Sequence, residues 1–255
     1  MTETIRAEWT KLRSLTSTAW LLVGTVALTV GVSAAIAAAI HQSSPGGDPT
    51  KLALTGIDLG QAVVVVLAVL AISEEYGSGM IRVTLTAMPR RLVLLAAKAA
   101  NVAGLTLVIG VVVVTGCLLA GRFMLPGAGL GPAHGYALVS ITHSPTLRAA
   151  VGSVFYLVLI GLLALGVATA IRDTAVSIGA VLALLYLPPL LAQVVSDPLR
   201  RHIQQIAPMT AGLAIQATTN LRSLPINPWA GGSVLAAWAG ASLFIGGLLL
   251  RLRDA

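Results

Sequence analysis

Apolar side chains arrive in six long runs, at about residues 18–40, 53–72, 92–120, 149–171, 174–195 and 231–250, with most polar and charged residues confined to the intervals between them. An α-helix rises ~1.5 Å per residue, so ~20 residues cross the ~30 Å hydrocarbon core of a bilayer. Each run is near that length. The pattern predicts an all-α, polytopic membrane protein with six transmembrane helices, the chain forming one transmembrane domain over residues 1–255. The first run ends in the small residues "VSAAIAAAI", as a signal-peptide cleavage region does. Its apolar stretch exceeds the ~7–15 residues of a secretory h-region, so an uncleaved first helix is expected.

The intervals carry their own patterns. In residues 1–17, Ile5, Trp9, Leu12 and Leu15 form one helical stripe from which Glu8, Lys11 and Arg13 fall away. This predicts an amphipathic helix at the membrane interface with Trp9 at headgroup level. The fifth run contains "LYLPPLL", where Pro188 and Pro189 remove two backbone donors and predict a kink or break. Residues 196–230 are too polar to span; Ile203, Ile206, Leu213 and Leu221 predict short amphipathic segments on the outer face, interrupted at Pro208. Residues 121–148, rich in glycine and proline, show no period and read as an irregular outer loop.

Composition excludes the main alternative to a membrane location. At 56% hydrophobic and 10% charged residues, the 255-residue chain has too few polar side chains to cover a soluble globule of its size. The single cysteine, Cys117, lies in an apolar run and reads as a small hydrophobe. A net charge of +7 does not point to nucleic acid, because the cations are scattered singly rather than gathered on a phosphate-binding face. They report orientation instead: with six spans, ten of the 16 lysines and arginines, among them Arg6, Arg82, Arg172 and Arg251, share the side of the termini. The positive-inside rule then puts both termini in the cytoplasm.

One interval interrupts this pattern most sharply. "SEEYGSGMIRVTLTAMPRR", residues 73–91, places Glu74, Glu75, Arg82, Arg90 and Arg91 between two spans, on the cytoplasmic side of the predicted topology. Gly77 and Gly79 permit a turn, "MIRVTLTA" is long enough for two helical turns, and Pro89 stops it. Anchoring to anionic headgroups explains the arginines. It leaves the paired glutamates unexplained, except as salt-bridge partners of those arginines.

With these residues the chain resembles the ABC-2 type permease subunits of ATP-binding-cassette exporters, especially the six-span bacterial ones. "EWTKLRSLTSTAW" (8–20), "EEYGSGMIRVTLTAMPRRLVLLAAK" (74–98), "RAAVGSVFYLVLIGLLALGVATAIRDTA" (148–175) and the prolines of the fifth span carry the likeness, the second stretch most specifically. The resemblance implies that the amphipathic leader, with Trp9 and Lys11, and a coupling helix in the loop after the second span form the surface on which a separate ATPase subunit docks. Carried over residue by residue, Glu74, Glu75 and Tyr76 match the acidic start of that loop, Gly79, Ile81, Arg82, Thr84 and Leu85 its helix, and Pro89, Arg90 and Arg91 its end. It further implies two copies of the ATPase, which carry ATP and magnesium, and a second permease subunit, identical or related, in a bacterial cytoplasmic membrane.

The chain has no Walker A sequence, so it holds no cofactor and hydrolyses no nucleotide through a P-loop of its own. "GAGLGP" at 127–132 reads as a turn, and His41, His134, His143 and His202 have no metal-ligand spacing. An intramembrane protease is a competing reading, since "EE" followed by an arginine is similar to the CAAX-type enzymes. However, Arg82 follows Glu75 too distantly and no histidine falls within a span. Ionisable and polar groups in spans are costly and therefore candidates for a translocation route or gate: Asp58, Lys98, Tyr156, Tyr186 and Gln193, with Pro188 and Pro189. Lys98 is expected to snorkel to the cytoplasmic interface and Asp58 to cap its helix. The expectation is a permease that moves an amphiphilic or hydrophobic substrate outward; the alternative of another class is a non-transporting membrane scaffold or sensor that docks an ATPase.

Overall fold

The computed structural model describes residues 16–39, 47–77, 91–130, 139–140 and 143–252. Among the described residues all regular structure is helical: α1 (Thr16–Ala39), α2 (Pro49–Ala53), α3 (Ile57–Gly77), α4 (Arg91–Met124), α5 (Ser144–Ile171), α6 (Thr174–Leu191), α7 (Asp197–Ile206), α8 (Pro208–Leu213) and α9 (Pro228–Leu252), with 3₁₀ turns at Ala214–Gln216 and Leu221–Ser223. Five of these, α1, α4, α5, α6 and α9, are long and apolar enough to cross a membrane, and α3 carries a shorter apolar stretch, Ile57–Ser73. The chain is built as an all-helical, polytopic membrane protein.

α5 is the centre of the bundle. It packs against α9, α4, α3 and α6, while α1 lies outside, against α4 and α3. The α5–α9 crossing is set by missing side chains. A Cβ on Gly166 would stand 2.5 Å from the backbone carbon of Ser242, and one on Gly246 would stand 2.6 Å from the carbonyl oxygen of Gly166. Inside a bilayer lipid tails are as apolar as leucine, so such backbone-to-backbone packing supplies much of what holds helices together.

The helices stop where local chemistry stops them. α5 ends as Arg172 enters the left-handed region (φ 65°), and Asp173 then caps α6 by accepting from Val176 N at 2.8 Å. α6 ends two residues beyond Pro188 and Pro189, whose rings offer no N–H to the carbonyls of Leu184 and Leu185. Pro208 opens α8 at its first position, where a missing N–H costs nothing. α4 and α5 extend past their apolar runs, to Met124 and back to Ser144, leaving a shorter connection between them than hydropathy alone outlines.

The apolar run at 53–72 is broken near its start. Gly56 N donates to Ser33 Oγ at 3.0 Å across from α1, so it is withdrawn from helical pairing, and α3 begins only at Ile57. Ser33 Oγ in turn donates to Cys117 Sγ at 3.3 Å, joining α1, the head of α3 and α4. Cys117 is fully buried there.

α2, α7, α8 and both 3₁₀ turns gather at one end of the bundle, where α3, α5 and α9 begin and α6 ends. This capped end lies opposite the end at which α3 reaches Gly77 and α4 starts.

Candidate functional site

At the capped end, α3, α5 and α6 bring four polar side chains together. Asp58 stands in the first turn of α3, and Gln61, one turn on, shares its face. Gln61 is 0% exposed, and a buried amide is tolerated only when bonded. It donates through Nε2 to the Asp58 carbonyl at 3.0 Å and accepts, at Oε1, the hydroxyl of Tyr156 from α5. Tyr186, near the end of α6, donates its hydroxyl to the same Asp58 carbonyl at 2.5 Å. The Asp58 carbonyl thus ties α3 to α6, and the Gln61 side chain ties both to α5.

The Asp58 side chain takes no part in this knot. Its carboxylate lines a cavity of about 360 Å³ between α3, the end of α6 and the cap, together with Lys51, Thr55, Thr210 and Gln216. Among the described residues no hydrogen bond or ion pair engages that carboxylate. A second, larger cavity of about 620 Å³ opens between α5, α9 and α8; it is apolar, with Phe155, Ile215, Trp229 and Leu235 in its wall and Arg148 beside them. The Tyr156 ring faces this groove while its hydroxyl reaches the polar knot, so one side chain adjoins both regions.

The cap is fastened at several points. Asp48, at the N-cap of α2, accepts from Thr50 N (3.1 Å) and Lys51 N (3.2 Å), and across the bundle end from Thr218 N (2.5 Å), Thr218 Oγ1 (2.7 Å) and Thr219 N (3.0 Å). Arg148 donates to the Ala217 carbonyl at 2.5 Å, and Trp238 Nε1 to the Ile206 carbonyl at 2.9 Å. The short helices are therefore held over the cavity by charge-assisted and backbone bonds together.

Of the route candidates, Asp58, Tyr156, Tyr186 and Pro189 converge here. Pro188 is in the last turn of α6, and Gln193 is exposed just beyond it. Lys98 lies elsewhere: it is 2% exposed, and its Nζ donates to the Ala71 carbonyl at 3.0 Å, towards the uncapped end of α3. Glu74, Glu75 and Tyr76 fall in the last turns of α3, and Arg91 opens α4. Trp9, Lys11, Gly79, Ile81, Arg82, Thr84, Leu85, Pro89 and Arg90 lie outside the described residues.

Gln61, Asp48 and Gln216 were not singled out from sequence. Gln61 had a signal, a lone amide one turn from the lone carboxylate of an apolar run. Asp48 had only its place before a proline, and its partners across the bundle end are about 170 residues away.

Tyr156→Phe is expected to destabilise the bundle by about 1 kcal/mol, the scale of interhelical hydrogen bonds in membranes. Thermal unfolding in detergent measures it. Adding Gln61→Leu should then cost less than Gln61→Leu does alone; simple additivity of the two would mean that the pair is not coupled.

No family model matches the chain, and no curated protein matches it, so what it does is argued from its own residues and their arrangement.

Proposed function

We propose that the chain is the membrane subunit of an ATP-driven exporter of the ABC-2 permease type, in a bacterial cytoplasmic membrane. In this reading α3 is the second of six spans, the uncapped end is cytoplasmic with both termini, and the capped end is extracellular. Residues 78–90, joining α3 to α4, then present Arg82, Pro89 and Arg90 to a separate ATPase subunit, with Glu74, Glu75 and Arg91 at the flanks. ATP and magnesium bind on that subunit. A second permease subunit completes the transporter.

One observation carries the mechanism. α3 is a continuous helix from the polar knot at Asp58 and Gln61 to the charged segment at Glu74 and Glu75. The interval Asp58–Gly77 spans ~30 Å at ~1.5 Å per residue, the depth of the hydrocarbon core. A push at the cytoplasmic end tilts a stiff rod, so the knot and the cavity beside it move together. ATP-driven closure of paired ATPase subunits supplies such a push, and alternating access needs two discrete packings biased in this way. The close glycine crossing of α5 with α9 makes those two helices one rigid group against which α3 tilts.

Affinity purification of the tagged chain from its native membrane, with every co-purifying chain identified, tests the reading. A Walker-A-bearing subunit with vanadate-sensitive ATP turnover is expected. Recovery of other membrane complexes intact but no ATPase with this chain would overturn it. An ATPase whose turnover never accompanies movement of any solute would favour the scaffold reading.

A further inference from the structure

The larger cavity, of about 620 Å³ between α5, α9 and α8, has an apolar wall that opens sideways. Leu147, Val151 and Phe155 follow one another at every fourth residue of α5 in that wall, and they and Trp229 are exposed, on a bundle whose outer surface meets lipid tails. Beyond Arg148 the α5 side of the wall continues to Leu159, ~17 Å further at ~1.5 Å per residue and about half of the ~30 Å hydrocarbon core. That is the depth of one leaflet. Arg148 and Trp229 stand near the starts of α5 and α9, at the capped end of the groove, and tryptophan favours the level where headgroups meet tails.

The wall carries charge of one sign. Arg148 is its charged residue, and the other polar side chains, Ser144, Tyr156 and Ser233, are neutral hydroxyls. Tyr156 donates away from the groove to Gln61, and Ser233 donates to the Ala230 carbonyl at 2.8 Å. Arg148 is half-buried and under-used: one of its N–H groups goes to the Ala217 carbonyl, while Nε is shielded from water and has no partner among the described residues. No ion pair engages it there. The capped end has no carboxylate to spare for it. Asp48 is taken up by Thr50, Lys51, Thr218 and Thr219, Asp197 pairs with Arg200 at 3.2 Å, and Asp58 lies in the other cavity with Lys51. Residues 40–46 and 131–142, which adjoin this end along the chain, contain neither Asp nor Glu. α5 also begins without a side-chain cap, so its positive end adds to the field of Arg148. A half-buried guanidinium beside hydrocarbon is unfavourable unless an anion meets it.

We propose that this groove holds an anionic phospholipid of the surrounding membrane, with one acyl chain along α5 and the phosphate on Arg148. A planar guanidinium with unused N–H groups suits phosphate oxygens. The wall offers no carboxylate to an ammonium, so acidic headgroups are favoured over choline or ethanolamine ones. The site needs a bilayer but no ATPase and does not depend on the exporter reading.

The test is native mass spectrometry of the purified full chain in uncharged detergent, titrated with phosphatidylglycerol or with phosphatidylcholine of the same acyl chains. Saturable binding of phosphatidylglycerol, at least about tenfold tighter than that of phosphatidylcholine, is expected. Arg148→Gln should abolish the preference, whereas Arg201→Gln, at an exposed cation of α7 outside the groove, should leave it whole. Gly232→Leu tests the acyl site separately. A Cβ at Gly232, in the groove wall, meets nothing within 4 Å, so leucine fills open groove without forcing helices apart. It should weaken phosphatidylglycerol binding by at least about tenfold. Unfolding midpoints report whether each variant is folded. Equal affinity for the two lipids, a retained preference in folded Arg148→Gln, or undiminished binding by Gly232→Leu would overturn the proposal. An equal loss in Arg201→Gln would overturn it as well, since it would report overall charge. So would displacement of the lipid by equimolar glycerol 3-phosphate, which has the charge without the tails and would mark a site for soluble anions.

Discussion

Asp48→Ala is expected to destabilise the protein by about 2–4 kcal/mol, the sum of a lost helix cap and of charge-assisted bonds to the far side of the cap. The carboxylate accepts from two amides at the head of α2 and from the backbone and hydroxyl of the Thr218–Thr219 segment. Alanine leaves all of these donors unanswered, and those at Thr218 are partly shielded from water. The loss should also be local. Among the described residues, the hydrogen bonds that hold residues 218–226 to the rest of the bundle end are those to Asp48 and the Gln205 Nε2 bond to the Pro225 carbonyl (2.8 Å), so trypsin should cut faster at the exposed Arg222. Thermal unfolding in detergent and timed proteolysis read the two effects. Unchanged unfolding would mean that water replaces the clasp at no cost.

A still larger loss is expected for Gly56→Val. A Cβ there would lie 2.0 Å from the Thr29 carbonyl oxygen and 2.4 Å from Ser33 Oγ, and the first of these is backbone that no rotamer change can move aside. Overpacking ordinarily costs ~1–3 kcal/mol; here it must also part α1 from α3 and break the Gly56–Ser33 bond, so the upper end of that range or beyond is expected. Gly24→Ala is the matched control. A Cβ at Gly24 meets nothing within 4 Å, and alanine is the better helix former by ~1 kcal/mol, so stability should hold or rise. Equal unfolding midpoints for Gly56→Val and Gly24→Ala would show that the α1–α3 contact is not tight.

These two positions also mark where sequence stops informing. The long apolar runs announce their helices because hydrocarbon solvation acts on each segment by itself. The proline pair at 188–189 and Pro208 announce boundaries because a missing N–H is a local fact. Gly56 gives no such warning: the break between α2 and α3 is made by Ser33, 23 residues earlier, on another helix. The candidate site divides the same way. Asp58, Tyr156 and Tyr186 stand out as polar groups in greasy surroundings, yet nothing local shows that Gln61 and a single carbonyl join them. Lys98 illustrates the converse, since a long cationic side chain near a span end is expected to reach headgroups, whereas here it bonds the Ala71 carbonyl within the bundle.

The early end of α6 has a consequence for the surrounding lipid. α4 runs 34 residues, ~51 Å at ~1.5 Å per residue, whereas α6 runs 18, only ~27 Å. A bilayer of ~30 Å hydrocarbon thickness cannot match both. Beside α4 the surplus is absorbed by tilt or by protrusion into the headgroups. Beside α6, where Leu187, Leu190 and Leu191 face outward up to the last turn and Val194 just beyond it, a helix of this length suits a bilayer thinner than the one α4 suits. The flank that holds Pro189 and the cavity wall is the end of this short helix. Acyl-chain length thus becomes a mechanical input to that flank, with thick bilayers pulling on the proline-terminated helix and thin ones leaving it relaxed.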